Sequence, residues 1–309
     1  MLGSAVLLAA ASIAVIGCGS GTPATTEGNA PGGAPAHAGD PATAPDNLHF
    51  IAKGDWGYSG RNQAAVSTQM CASHAARPAK FILSTGDNFY NPDGVATKAN
   101  FDDPEACLIA TGLPWKAVWG NHDIEGDSTA TRLNSPERWY TFAEGPVRFV
   151  MLDGNQPTSP GQLRFLEDTL KKATEPVRIA VIHQPAYTAG FHGPEKDQQK
   201  LMVPLWKRYG VSLVLNGHNH DYERIERDGI TYIVTGGGGY PLYPCVRFPE
   251  GLKKCTPKHH FLEVDASTYG INVKAIDKNG TVFDAVTVPI RDAAAPEAAA
   301  PSQPAPPAS

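Results

Sequence analysis

Five short apolar runs, each ending in a polar cluster, constrain this chain more than any other feature of its sequence. His49 to Lys53 runs into Gly54-Asp55, Lys80 to Thr85 into Gly86-Asp87-Asn88, and Trp115 to Trp119 into Gly120-Asn121-His122-Asp123. Val177 to Ile182 ends at His183, and Val211 to Leu215 ends at Asn216-Gly217-His218-Asn219-His220. Runs of this length with β-branched content read as strands buried on both faces, and stretches of helical spacing such as 162–172 and 197–209 separate them. The alternation predicts an α/β body around a buried sheet, with its strand ends converging on one rim. In open α/β sheets ligands bind outside the carboxyl ends of the strands, so chemistry is expected at the polar clusters.

After His220 the pattern changes to closely spaced strands at 222–227, 229–235, 260–265, 270–276 and 281–288. Asp228-Gly229 and Asn279-Gly280 are hairpin signals between such runs. This predicts a second, mainly antiparallel sheet stacked on the first, not an independent domain. The 41% hydrophobic and 18% charged residues suit a soluble globular body of this kind. A net charge of −5 without a basic block argues against a nucleic-acid binder held by phosphate contacts.

The two ends read differently. Ala5 to Ile16 is an uncharged, mostly apolar run of the size of a secretion-signal core, too short to cross a bilayer as a mature helix. Val15-Ile16-Gly17-Cys18 resembles the lipobox of bacterial lipoproteins, although Met1 to Ser4 lacks Lys and Arg. The expectation is a signal peptide over 1–18 with a lipid anchor at Cys18, so that membrane contact is made only through that N-terminal anchor. Plain secretion and a buried helix are the alternatives. Gly19 to Asn47 contains no Val, Ile, Leu, Met or aromatic residue and is expected to be a disordered linker. Residues 48–291 form the folded body, and 292–309 an Ala/Pro-rich disordered tail. The localisation expected is extracytoplasmic, in the bacterial cell envelope or secreted.

Cys71, Cys107, Cys245 and Cys255 remain after Cys18. In an exported chain an even count suggests disulfides, with three connectivities open; Cys71–Cys107 and Cys245–Cys255 join nearest neighbours and are favoured over four buried thiols.

The rim residues Asp55, Asp87, Tyr90, Asn121, His183, His218 and His220 offer carboxylate, phenolate, amide oxygen and imidazole without thiolate. That is a donor set for a pair of hard-to-intermediate metal ions. Singly, each is more often a turn or a satisfied polar residue; together, at successive strand ends in the order GD, GD, GNH, H, GHxH, they point to a metal site.

With those motifs the chain resembles the calcineurin-like metallophosphoesterases, and within them the purple acid phosphatases, over nearly all of Leu48 to about Val288. Most members of the superfamily carry Asp-x-His in the first block, where this chain has Asp55-Trp56-Gly57; the second block carries Tyr90, three residues after Asp87. That paired substitution marks the purple acid phosphatases. The resemblance implies a four-layer α/β/β/α sandwich of two stacked mixed sheets flanked by helices. It implies a dinuclear centre of Fe(III) with Fe(II), Zn(II) or Mn(II). Asp55, Tyr90 and His220 would hold the first metal, Asn121, His183 and His218 the second, and Asp87 would bridge them. His122 and His192 match positions where relatives keep histidines facing the substrate, with roles as proton donors or phosphate-orienting groups; Asp123 would orient His122.

The implied reaction is hydrolysis of small phosphomonoesters by direct attack of a metal-bound hydroxide, the two ions clamping the phosphoryl oxygens from about 3.5–4 Å apart. A trivalent ion lowers the pKa of bound water further than a divalent one, which favours activity below neutral pH. Two other readings stay open. One is a phosphodiesterase on the same scaffold, for cyclic nucleotides or phospholipid head groups; the other is a non-catalytic surface lipoprotein. Elsewhere, Gly236 to Gly239 precedes Tyr240-Pro241 and reads as a tight turn near the site, not a nucleotide cradle. Tyr222-Glu223-Arg224 reads as structural, and Trp56, Tyr187 and Trp139-Tyr140 as packing or pocket walls.

Overall fold

The computed structural model of the chain describes residues 39–293. The expected leader with Cys18, most of the linker and the tail beyond Ala293 lie outside the described residues. The end of the linker differs from expectation: Asp40 to Asn47 belongs to the folded body. Pro41–Thr43 makes a single 3₁₀ turn capped by the Asp40 carboxylate, which accepts from Ala42 N–H at 2.9 Å. Asn47 Nδ2 donates to the Pro41 carbonyl at 2.8 Å, and Thr268 N–H donates to Asp46 at 3.1 Å. Polar groups and turn carbonyls make the attachment, so a search for apolar residues misses it.

The body opens with β1 (Leu48–Lys53), α1 (Arg61–Ala76), β2 (Ile82–Ser84), α2 (Ala106–Thr111) and β3 (Trp115–Ala117). A short α3 (Ser128–Thr131) and a hairpin of β4 (Tyr140–Glu144) and β5 (Val147–Leu152) follow. Then come α4 (Pro160–Lys172), β6 (Val177–Ile182), α5 (Lys196–Leu201), α6 (Val203–Arg208) and β7 (Leu213–Asn216). The last third is all strand: β8 (Tyr222–Arg227), β9 (Ile230–Thr235), β10 (Leu252–Thr256), β11 (His260–Ser267), β12 (Gly270–Asp277) and β13 (Val282–Val288). The helix predicted over 197–209 is two helices, because Pro204, in the first turn of α6, has no N–H to continue α5.

These strands form a six-stranded sheet of order β13-β12-β11-β1-β2-β3 and a seven-stranded sheet of order β10-β8-β9-β7-β6-β5-β4. Both are mixed: β1/β2/β3 are parallel in the first, and β5/β6/β7/β9 in the second, with antiparallel strands completing each. The two-sheet sandwich with flanking helices is as expected. Its partition is not: the strands of the βα alternation divide between the sheets, and the late strands return to both.

The core explains why β1, β6 and β7 read as continuous apolar runs, and β5 shares their environment. Phe50, Phe149, Met151, Ile179 and Leu215 face one another between the sheets. Their neighbours Val150, Leu152, Ala180, Ile182 and Val214 face outward onto Leu166, Leu170 and Trp206 of the helices. On the other sheet Ile51 and Ile82 meet Val66, Met70 and Trp56. Apart from Arg148 of β5 and Arg178 of β6, which are partly exposed, every residue of these strands is buried on one face or the other. Two disulfides join Cys71 of α1 to Cys107 of α2, and Cys245 to Cys255 of β10, the favoured sequence-nearest pairs.

Phe149 stacks on Phe142 at 4.6 Å between centroids and meets Phe50 and Phe81 edge-on at 5.4 and 5.5 Å. Phe149→Ala should therefore lower the unfolding free energy by about 3–5 kcal/mol, read as a fall in the urea midpoint at unchanged slope.

Candidate metal centre

The carboxyl ends of β1, β2 and β3 in one sheet and of β6 and β7 in the other meet at a single rim. Asp55 leaves β1, Asp87 and Tyr90 follow β2, Asn121 follows β3, His183 caps β6, and His218 and His220 follow β7. All seven predicted donors are brought together. Tyr90 Oη lies 3.0 Å from both Asp55 Oδ1 and His220 Nε2, which are 3.4 Å apart. Asp87 Oδ1 sits 3.3 Å from His183 Nε2, and His218 Nδ1 is 3.1 Å from Asn121 Oδ1. Ligand atoms of Asp55, Asp87 and His220 all fall within 4.8 Å of one another, which joins the two groups.

The backbone holds this cluster in an unusual way. Asp55, Asp87 and His218 all lie in the left-handed region, at φ 59°, 49° and 72°. Non-glycine residues there are strained, and such strain gathers at functional sites. Each follows a glycine. At Gly86, φ 96°, an added Cβ would fall 2.7 Å from His183 Nδ1; at Gly120 it would fall 2.1 Å from Asp87 Oδ1. Side-chain-free backbone lets the two sheets' loops close on each other. Asp123 fastens the loops after β2 and β3 to each other: its carboxylate accepts from the N–H groups of Gly120, Asn88 and Phe89 at 2.7, 2.8 and 3.1 Å. That corrects the expected role of Asp123. It does not orient the His122 side chain; its oxygens are committed to the backbone of the Asp87 loop.

The donor set fits metal ions on its own chemistry. Asp55, Asp87, His183 and His220 are buried. His183 Nδ1 faces the Thr85 carbonyl at 2.8 Å and His220 Nδ1 the Pro241 carbonyl at 2.9 Å, so Nδ1 carries the hydrogen and Nε2 keeps its lone pair for a cation when the ring is neutral. His183 Nε2 is buried without a hydrogen-bond partner. The charges agree. Burial, then the Asp55 and Asp87 carboxylates, push the Tyr90 phenol well above its ordinary value. Burial works against the charges of Asp87 and His183 alike, but their mutual attraction prevails, holding Asp87 below the carboxylate range and raising His183 to about 9. Burial and the neighbouring His183 and His192 lower His218 to about 3. Carboxylates packed against a phenol form a negative nest that a cation relieves.

The two expected substrate-facing histidines flank the nest. His122 is exposed, its ring 4.5 Å from that of Tyr90, and its N–H donates to Asp87 Oδ1 at 2.9 Å. The half-buried His192 places its ring 4.5 Å from that of His218. Trp56 does not wall the pocket: it is buried in the core and donates to Ser84 Oγ at 3.0 Å. The aromatic wall is instead Tyr240, stacked 3.9 Å over Tyr90, and Tyr243, stacked 4.0 Å over His220, both overlooked in the sequence. Their signal was the Gly236–Gly239 run before them, whose Gly238 N–H donates to the Gly54 carbonyl at 2.9 Å and pins this turn beside Asp55. Tyr222, Glu223 and Arg224 are structural as expected; Tyr222 donates to Asp284 and Glu223 receives Thr188.

A two-sheet sandwich that gathers carboxylates, imidazoles and a phenol at its joined strand ends, taken with the family match and relatives that follow, makes the chain a metal-dependent phosphoric ester hydrolase. The calcineurin-like phosphoesterase family model matches residues 45–222, and the chain belongs to that family. Among curated proteins it is similar to tartrate-resistant acid phosphatase type 5 of Rattus norvegicus, 27% identical over 276 residues, covering 75% of this chain and 83% of the relative. Purple acid phosphatase 17 of Arabidopsis thaliana is 29% identical over 240 residues, covering 65% and 70%. Among solved structures, GAP50, described as the anchor in the inner membrane complex of Plasmodium, superposes with a TM-score of 0.69 at 22% identity, covering 79% of this chain and 89% of that one. The purple acid phosphatase PPD1 of yellow lupin superposes with 0.65 at 17% identity, covering 78% and 53%. The family implies a dinuclear metal centre.

The electrostatics set the sign of a pH dependence. In the metal-free protein His183 keeps its proton up to about pH 9 and the Tyr90 phenol keeps its own beyond the ordinary range. Both protons must leave before these groups can bind a cation, so affinity should rise with pH, by up to about tenfold per unit for each proton released. Chelator-competition titrations of the metal-free protein near pH 6 and pH 8 check this; equal affinities would contradict it.

Proposed function

We propose that the chain is an acid phosphatase that hydrolyses phosphomonoesters directly, without a phospho-enzyme. The observation that carries this is the gathering of all seven donors, Tyr90 among them, at one rim. Asp55, Tyr90 and His220 would hold a trivalent iron, Asn121, His183 and His218 an Fe(II), Zn(II) or Mn(II) ion, and Asp87 would serve both. A phenolate with carboxylates suits the harder ion, and neutral imidazoles with an amide suit the divalent one. When bound, such a pair would supply positive charge for the phosphoryl oxygens and would lower the pKa of a nearby water. The chain's own residues do the rest. Asp87, held ionised, keeps the two donor groups in register, and the N–H of His122 fixes its Oδ1. His122 and His192, on either side of the nest, are placed to orient the phosphate and steady the departing alkoxide.

Acid phosphatase is also what the names of the similar curated proteins say of those proteins. A phosphodiesterase remains the second reading on this scaffold. A non-catalytic role, suggested by a fold neighbour described as an anchor, would be expected to leave the donor set broken, and here it is complete. Export, with a lipid anchor at Cys18 or as a secreted protein, is proposed on the leader sequence and is supported by the two disulfides.

Two measurements test the proposal. Asp87→Asn and His183→Ala should each lower kcat/KM on p-nitrophenyl phosphate by about 100-fold or more, and the bis ester should be the poorer substrate of the parent enzyme. Full activity in either variant removes the donor cluster from the mechanism, and a strong diester preference selects the second reading. Tyr90→Phe should bleach the visible absorption expected of a phenolate on Fe(III); persistent colour would place the phenolate elsewhere.

A further inference from the structure

Between the two donor histidines of β7's loop stands Asn219, fully buried and assigned no role by the metal chemistry. Its side chain grips the other wall of the site. Asn219 Oδ1 accepts the N–H of His192 at 2.7 Å, while Nδ2 donates to the carbonyl of the same His192 at 3.2 Å and to Thr188 Oγ1 at 2.7 Å. One amide thus brackets both peptide groups of His192 and fixes the dihedrals between them. The approach is close: a Cβ on Gly190 would fall 2.4 Å from Asn219 Cγ.

The same loop is strapped from outside by the segment that the Cys245–Cys255 disulfide closes. The N–H groups of Val246 and Arg247 donate to the Ala189 carbonyl at 2.8 and 2.9 Å. The exposed Arg247 guanidinium donates to the carbonyls of Gly190, Phe191 and His192, the last two at 3.0 and 3.4 Å. Among the described residues no hydrogen bond holds the His192 imidazole itself; its ring rests against His218, at 4.5 Å, and Tyr243, at 5.3 Å. Its place over the site is therefore inherited from its backbone.

We propose that Asn219 is a positioning residue that ties the geometry of the His218–His220 turn to the placement of His192, with Arg247 as the outer clamp. This rests on the substrate-facing role given to His192 above. A displacement of about 1 Å in a reacting group costs on the order of 100-fold in rate, so the clamp need not touch substrate to matter.

A double-mutant cycle on the full chain, with p-nitrophenyl phosphate as substrate, tests it. Asn219→Ala should lower kcat/KM about 10- to 100-fold with bound metal and visible absorption unchanged. In a His192→Ala background the same substitution should change kcat/KM by less than about twofold, since the group it positions is gone. Arg247→Met, at an exposed site where folding is not at stake, should lower kcat/KM about 3- to 10-fold and should likewise lose its effect without His192. Should Asn219→Ala not fold, the Arg247 cycle decides alone. Losses that multiply in the double variants, or loss of metal in Asn219→Ala, would overturn the proposal while leaving the phosphatase reading intact. Full activity of His192→Ala overturns the role of His192 and this proposal together. A parent enzyme inactive on the monoester fails the phosphatase reading itself.

Discussion

Two carboxylates, Asp55 and Asp87, are buried within a few ångströms of each other, and the structure around them is organised to make that tolerable. Their partners within the chain are imidazoles, His220 and His183, and a phenol, none of them a permanent cation. Burying anionic charge is costly, and a protonated His183 compensates Asp87 alone, so the protein by itself leaves Asp55 without a full countercharge. The glycines before the ligands, the left-handed turns and the committed carboxylate of Asp123 all serve to bring these anions to one place. The sandwich below contributes rigidity: strands from two sheets end at the same level, and their helix-backed cores leave the ends little freedom to spread.

The gathering of these side chains was legible in the sequence because all but Tyr90 stand at the end of an apolar run, where local pattern and chemistry coincide. Asp55, Asp87, His183 and the 218–220 pair needed only strand ends to be found. The sheet partition was not legible in the same way. A strand buried on both faces, such as β1 or β6, shows no alternation to say which layer it joins, and its neighbours are chosen by hydrogen bonds between distant segments. The β4–β5 hairpin passed unread despite the Val147–Leu152 run, because it carries no polar terminus of interest. Asp40 to Asn47 passed as spacer because its anchoring uses turns and amides instead of apolar side chains.

The second layer of the site was the least readable part. Asp123 was assigned to the histidine beside it in sequence, whereas its hydrogen bonds reach across to Asn88 and Phe89. Tyr240 and Tyr243 stack on the rings of Tyr90 and His220 although more than a hundred residues separate Tyr240 from Tyr90 in the chain. Asn219 occupied the variable place of a short motif. In each case the role is set by which loop the fold lays alongside, and that information lies in the topology, not in the neighbouring letters.

The left-handed turns at Asp55, Asp87 and His218 put folding and chemistry in opposition at three points. Glycine would occupy those dihedrals without strain, so the replacement that best relaxes the backbone at each position is also one that deletes a donor. A lineage drifting toward thermal robustness by this route would dismantle its own reactive centre one residue at a time. The chain's durability must therefore be sought elsewhere, in the aromatic interior and in the covalent cross-link that joins α1 to α2.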